Sequence, residues 1–164
     1  MTRNREKGFT LLEVIIVLIL LGIVSAIAGM GLVVVAQGYV SANLNSTMVE
    51  KGQTAITRIV KELGDCTITA GGATSVTFSR QSDGTSHIFS WAGTPGDPLI
   101  LSDSNNNSDV LIDNVRSFAL VYYDIGGNPT ATAAASFQVQ STLQLIAADN
   151  SVQTFTNRVF TKTQ

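Results

Sequence analysis

From residue 14 to residue 36 the chain carries no charge and is dominated by Val, Ile, Leu, Ala and Gly. A run of about 20 apolar residues is long enough to cross a bilayer as a helix. Between Glu13 and Glu50 the only ionisable side chain is Tyr39. Arg3, Arg5 and Lys7 precede the run, and by the positive-inside rule they hold that end in the cytoplasm. The rest of the chain is then expected outside the cytoplasm.

An ordinary secretory signal has a basic start, an apolar stretch of about 7–15 residues and a small-residue cleavage site after it. Here the apolar run is longer, it continues into a helical pattern, and a carboxylate, Glu13, stands at its very start. A charge near the centre of a spanning helix costs about 2.5–3.5 kcal/mol. Near the end the cost is smaller, yet a retained carboxylate still suggests a partner. The simpler reading puts Glu13 at headgroup level, near the positive end of the helix dipole.

The remaining composition excludes several classes of function. Ten Lys and Arg are scattered rather than clustered, so no nucleic-acid partner is expected. Cys66 is the one cysteine and His87 the one histidine. No intramolecular disulfide, CxxC pair or Cys-ligated zinc site is possible, and most routes to hydrolytic or metal chemistry are closed. Cys66 reads as a small buried hydrophobe. Neither Gly71-Gly72 nor Gly126-Gly127 has the frame of a phosphate loop, and no serine sits in a nucleophile elbow. No enzyme activity and no cofactor are expected.

Past Gly38 the helix is expected to continue to about Leu63. Ile56, Ile59, Val60 and Leu63 recur at i, i+3, i+4 and i+7 as one apolar stripe, with Arg58, Lys61 and Glu62 on the other face. Gly64-Asp65 is the stop. Gly29-Met30-Gly31 interrupts the apolar helix, each glycine costing about 1 kcal/mol relative to alanine. Local flexibility and close helix packing through small residues both fit that pair.

After Gly64 the period changes to two. Strands are expected at 66–69, 75–80, 86–91, 99–101, 110–112, 115–124, 136–147 and 152–161. In the longest, Phe137, Val139, Leu143 and Leu145 share one face and Gln138, Gln140, Thr142 and Gln144 the other. That alternation describes an antiparallel sheet dry on one side, with the helix stripe as its cover. Asp83-Gly84, Gly126-Gly127-Asn128 and Ala148-Asp149-Asn150 supply turns. Asp103, Asn105, Asn107 and Asp109 alternate like oxygen ligands for Ca²⁺. The loop has no glycine at the turn and no bidentate Glu after it, so it is read as a polar loop. His87 is expected to be exposed on its strand, and Trp91, Tyr122 and Tyr123 to serve packing rather than a binding surface.

The stretch Lys7-Gly8-Phe9-Thr10-Leu11-Leu12-Glu13-Val14 resembles the type IV pilin and pseudopilin family. That resemblance implies an α+β, pilin-like fold: a long helix, membrane-spanning in its first half, packed on an antiparallel β domain. It divides the chain into a leader peptide at 1–8, a transmembrane and filament-core helix at 9–37, its amphipathic continuation at 38–64 and an extracytoplasmic β domain at 65–164. It further implies cleavage between Gly8 and Phe9 by an inner-membrane prepilin peptidase, and N-methylation of Phe9. Glu13 falls where the family's assembly glutamate pairs with the terminal amine of a neighbouring subunit. The implied partners are other pilins or pseudopilins, the peptidase and an inner-membrane assembly platform. Residues 56–63, 115–124 and 158–160 are similar to J-type minor pseudopilins of type II secretion, and equally to W-type minor pilins. The first likeness implies a subunit assisting pseudopilus initiation and protein export. The second implies a type IV pilus subunit concerned with adhesion, motility or DNA uptake. An adhesive, ligand-binding tip module is a further alternative.

Overall fold

The computed structural model describes residues 10–80, 84–105 and 107–162. One helix, α1 (Leu11–Gly64), runs unbroken through Gly29 and Gly31. Glycine lowers helix propensity but keeps the N–H that proline lacks, so the backbone ladder survives both positions. The chain divides into two units at Ala42/Asn43. In the first, every described side chain is exposed, including all the Val, Ile and Leu of the apolar run.

The second unit is held together by the last part of α1. Gly52, Ala55, Ile56, Ile59 and Leu63 are buried on one face. Three of these belong to the expected stripe, and Gly52 and Ala55 extend it one turn and more toward the N-terminus. Glu62 departs from the expected solvent face: it is half-buried and ion-pairs with Arg80 on the neighbouring strand. After Gly64 only Asp65 separates the helix from the first strand.

Among the described residues nine strands follow: β1 (Cys66–Gly71), β2 (Ser75–Arg80), β3 (Ser86–Trp91), β4 (Leu99–Asp103), β5 (Ser108–Ile112), β6 (Val115–Tyr123), β7 (Pro129–Thr130), β8 (Gln138–Ile146) and β9 (Val152–Phe160). They form two antiparallel sheets where the alternation had suggested one. The first is a five-stranded meander, β1-β2-β3-β4-β5, and the second has the order β7-β6-β8-β9. The break falls at Asp113-Asn114. Asn114 takes the left-handed conformation at φ 54°, which asparagine tolerates better than most residues. Its carbonyl then accepts the Ile146 N–H at 3.0 Å, which ties the corner to β8.

Both sheets turn one face to α1. Phe78, Phe89, Val76 and Leu99 come from the first sheet, and Val115, Phe118, Val139, Leu143 and Leu145 from the second. With Ile59 and Leu63 they form one core. β8 alternates buried and half-buried from end to end, as its period-two pattern demands. Tyr122 stitches the sheets together: its hydroxyl donates to the carbonyls of Gly72 (3.1 Å) and Ser75 (3.2 Å) in the β1–β2 turn. A Cβ at Gly71 would collide with that hydroxyl, so the close approach needs glycine there.

Candidate functional site

Gly8 and Phe9, the expected cleavage pair, lie outside the described residues. Immediately after them Thr10 caps α1. Its Oγ accepts the Glu13 N–H at 3.3 Å, and its carbonyl accepts the N–H groups of Glu13 (3.1 Å) and Val14 (3.3 Å). Helices start with unpaired N–H groups, and a threonine at this position satisfies one of them. Thr10-Leu11-Leu12-Glu13 has the spacing of a capping box, a signal present in the sequence that drew no reading there. The consequence for Glu13 is specific. Its backbone is used in starting the helix, while its side chain stands on the exposed surface of the first unit.

The helix presents an 18-residue window of mean hydropathy 2.9 with none of it buried. By length and composition it suffices to cross a membrane. The fully buried positions of α1 lie elsewhere, from Gly52 onward.

In the second unit, the residues weighed for chemistry are used for structure. At the β4–β5 turn, Asp103 Oδ1 accepts the N–H groups of Asn105 and Asn107, both at 2.9 Å, and Oδ2 accepts the Asn107 side-chain amide at 2.9 Å. These donors, led by Asn107, hold the Asp103 carboxyl below its usual range. The loop is thus closed by its own donors in the manner of an Asx turn. Asp109, at the far end of the alternation, is exposed on β5. Among the described residues, no group of three or more His, Cys, Asp or Glu is placed to hold a metal.

His87, expected to be exposed, is half-buried and stacks on Phe78 with ring centroids 5.6 Å apart. Tyr122 is in the core, and Trp91 packs partly buried against it. Tyr123 lies on the outer face of β6 beneath the Arg158 guanidinium, 3.6 Å from the ring centre. All three aromatics serve packing.

Cys66 is fully buried at the end of α1, its thiol donating to the Glu62 carbonyl. Burial, and next the Glu62 charge, push it from 9.0 up to about 12. Burial likewise pushes Tyr122 up to about 12. The thiolate is the reactive form, so Cys66 in the folded chain should resist iodoacetamide at pH 8 and react fully once unfolded. The sign of the linkage is fixed by the raised values. Below pH 9 both states keep the thiol proton. Between pH 9 and about 12 the unfolded chain loses it while the folded chain does not, so stability should fall as pH rises through that window. Melting curves of the wild type and Cys66→Ala across pH 8–11 check this: the wild type should lose more melting temperature on alkalinisation.

A family model described as the Prokaryotic N-terminal methylation motif matches residues 3–29. No curated protein matches the chain. The match spans the basic prefix, the Gly8-Phe9 junction, Glu13 and most of the apolar run. It supports a pilin or pseudopilin, a structural subunit cut by a prepilin peptidase and assembled with other pilins. With the apolar helix, it fits a single-pass anchor in the inner membrane.

Proposed function

We propose that this chain is a filament subunit of the J-like minor pseudopilin kind, assisting the start of pseudopilus assembly and protein export in a type II secretion-type system. Residues 1–8 are its leader, removed between Gly8 and Phe9, after which Phe9 is N-methylated. Residues 9–37 then anchor the subunit in the inner membrane and pass into the filament core, with 38–64 and 65–164 carried outside the cytoplasm. An inner-membrane platform moves it from one to the other.

The match of the methylation motif to residues 3–29, running directly into an exposed apolar helix, carries this reading. Cleavage leaves a cationic amine at the head of that helix. In surroundings of low dielectric, an amine requires a carboxylate, and Glu13 of a neighbouring copy supplies it. The likeness to J-type pseudopilins, shared equally with W-type minor pilins, lies in the second unit. The similar segments fall on the buried stripe of α1 and on β6 and the end of β9, two strands of the second sheet.

Mass spectrometry of the N-terminus, from membranes of cells with and without the prepilin peptidase, tests the pathway. A chain beginning at N-methylated Phe9 only when the peptidase is present is the expected result. An intact Met1 start in both, or cleavage near residues 28–36, would refute it.

A further inference from the structure

Between α1 and β5 lies a groove of about 430 Å³, lined on the helix by Glu50, Lys51, Thr54, Ala55 and Arg58 and on the strand by Val110, Leu111, Ile112 and Asp113. Among the described residues, β5 is the terminal strand of its sheet, hydrogen-bonded only to β4. The direction of its backbone groups follows from the register. The Asp103 N–H donates to the Asn107 carbonyl, so that pair is a hydrogen-bonded one. Pairs then alternate along the ladder through Ser102↔Ser108, Leu101↔Asp109 and Ile100↔Val110. Val110 therefore belongs to a non-bonded pair, and its N–H and C=O point away from β4 at the open margin of the sheet. Val110 itself is 63% exposed.

The two ends of the groove differ in charge. Lys51 and Asp113 pair across one end at 3.5 Å, with Glu50 beside them. Arg58, about 10 Å further along the helix axis, marks the other end, and Lys61 continues the cationic surface there. Neither Arg58 nor Lys61 enters an ion pair among the described residues. The separation of Glu50 and Arg58, about 12 Å, equals three to four residues of extended chain.

From the unpaired strand margin and this charge polarity, we infer that the groove takes up an extended segment of a different polypeptide. The segment adds as a strand to β5, with a basic residue at the Glu50 end and an acidic residue about four positions later at the Arg58–Lys61 end. Backbone bonds to Val110 supply affinity, and an apolar side chain over Ala55 and Ile112 fills the floor. Antiparallel addition, the pairing used throughout this sheet, places the basic residue N-terminal.

The test uses the full chain in detergent micelles and two fluorescein-labelled peptides of alternating valine and threonine. Both have lysine at the third position; one has aspartate at the seventh and the other glutamine. Fluorescence anisotropy should show both binding, with the aspartate peptide about three- to fivefold tighter, as an exposed ion pair provides. Arg58→Glu should abolish or reverse that preference. Val110→Pro, at an edge position whose N–H faces outward and where proline is tolerated, should abolish binding of both. Should that variant not fold, the Arg58→Glu comparison stands alone. No anisotropy change up to about 1 mM peptide, or equal binding of the two peptides by the wild type, would overturn the proposal. So would concentration-dependent self-association that Val110→Pro removes, since the margin would then belong to a second copy.

Discussion

Glu13→Ala should leave membrane insertion and leader removal intact while reducing entry into filaments by a factor of about 100 or more. The size follows from the chemistry of a buried pair broken from one side. Removing one partner leaves the other charge uncompensated in a medium of low dielectric, which costs about 3–5 kcal/mol, and each 1.4 kcal/mol is tenfold. Loss of the helix start does not explain such a defect, because the bond at that point runs from the Glu13 backbone N–H to Thr10 Oγ and survives the substitution. Thr10→Ala separates the two effects. It removes the cap, worth about 1 kcal/mol, and leaves the carboxylate in place, so it should impair assembly far less. The measurement is the ratio of mature subunit in sheared filaments to that in membranes. Normal incorporation of Glu13→Ala would remove the role proposed for Glu13.

Gly52→Ala should destabilise the second unit although alanine is the better helix former. The expected gain in helix propensity is about 1 kcal/mol. Against it, the new Cβ would collide with the Phe155 ring of β9 and come within 3.0 Å of Leu145 Cδ1. Leu145 is fully buried in the core and has no room to retreat. Overpacking of this kind costs about 1–3 kcal/mol, so the net expectation for alanine is a loss of up to about 2 kcal/mol, and for Gly52→Leu several. Phe155→Ala should partly rescue Gly52→Ala, since the two changes share one contact. Thermal unfolding followed by circular dichroism reports both. An alanine variant as stable as the wild type would mean that β9 yields and the glycine is not required.

These two positions differ in how far the sequence announced them. Glu13 stood out by itself, because one carboxylate beside more than twenty uncharged residues is a local anomaly. Gly52 gave no signal: a glycine in a helix reads only as a small penalty until the strand facing it is known. The apolar stripe at Ile56, Ile59 and Leu63 was legible because a helix repeats its buried face every three to four residues. Val60, in the same stripe, is only half-buried. The strands were legible to within two residues at most of their ends, and the turns at Gly127 and Asn150 take the left-handed conformation that such residues allow.

Other features escaped because they join distant parts of the chain. Glu62 belongs with the exposed charges by helical spacing, yet Arg80, 18 residues on, draws it to the margin of the core. His87 on an alternating strand reads as solvent-facing until Phe78 of the adjacent strand is found beneath it. The alternating Asp and Asn of the β4–β5 loop look like metal ligands in one dimension. In three, Asp103 is occupied by its own loop.

By itself, then, the sequence pointed to the apolar run long enough to span a membrane, the N-terminal methylation motif, the α+β class and most of the faces that the helix and strands bury. All are properties of runs and periods, which short-range sterics and solvation impose residue by residue. The tertiary structure alone decided that the strands form two sheets, that β9 sits against Gly52, and that β5 is left at an open margin beside α1. Periodicity records which side of an element avoids water, but not which element covers it. That choice is made by complementary shape and backbone pairing between segments far apart in the chain.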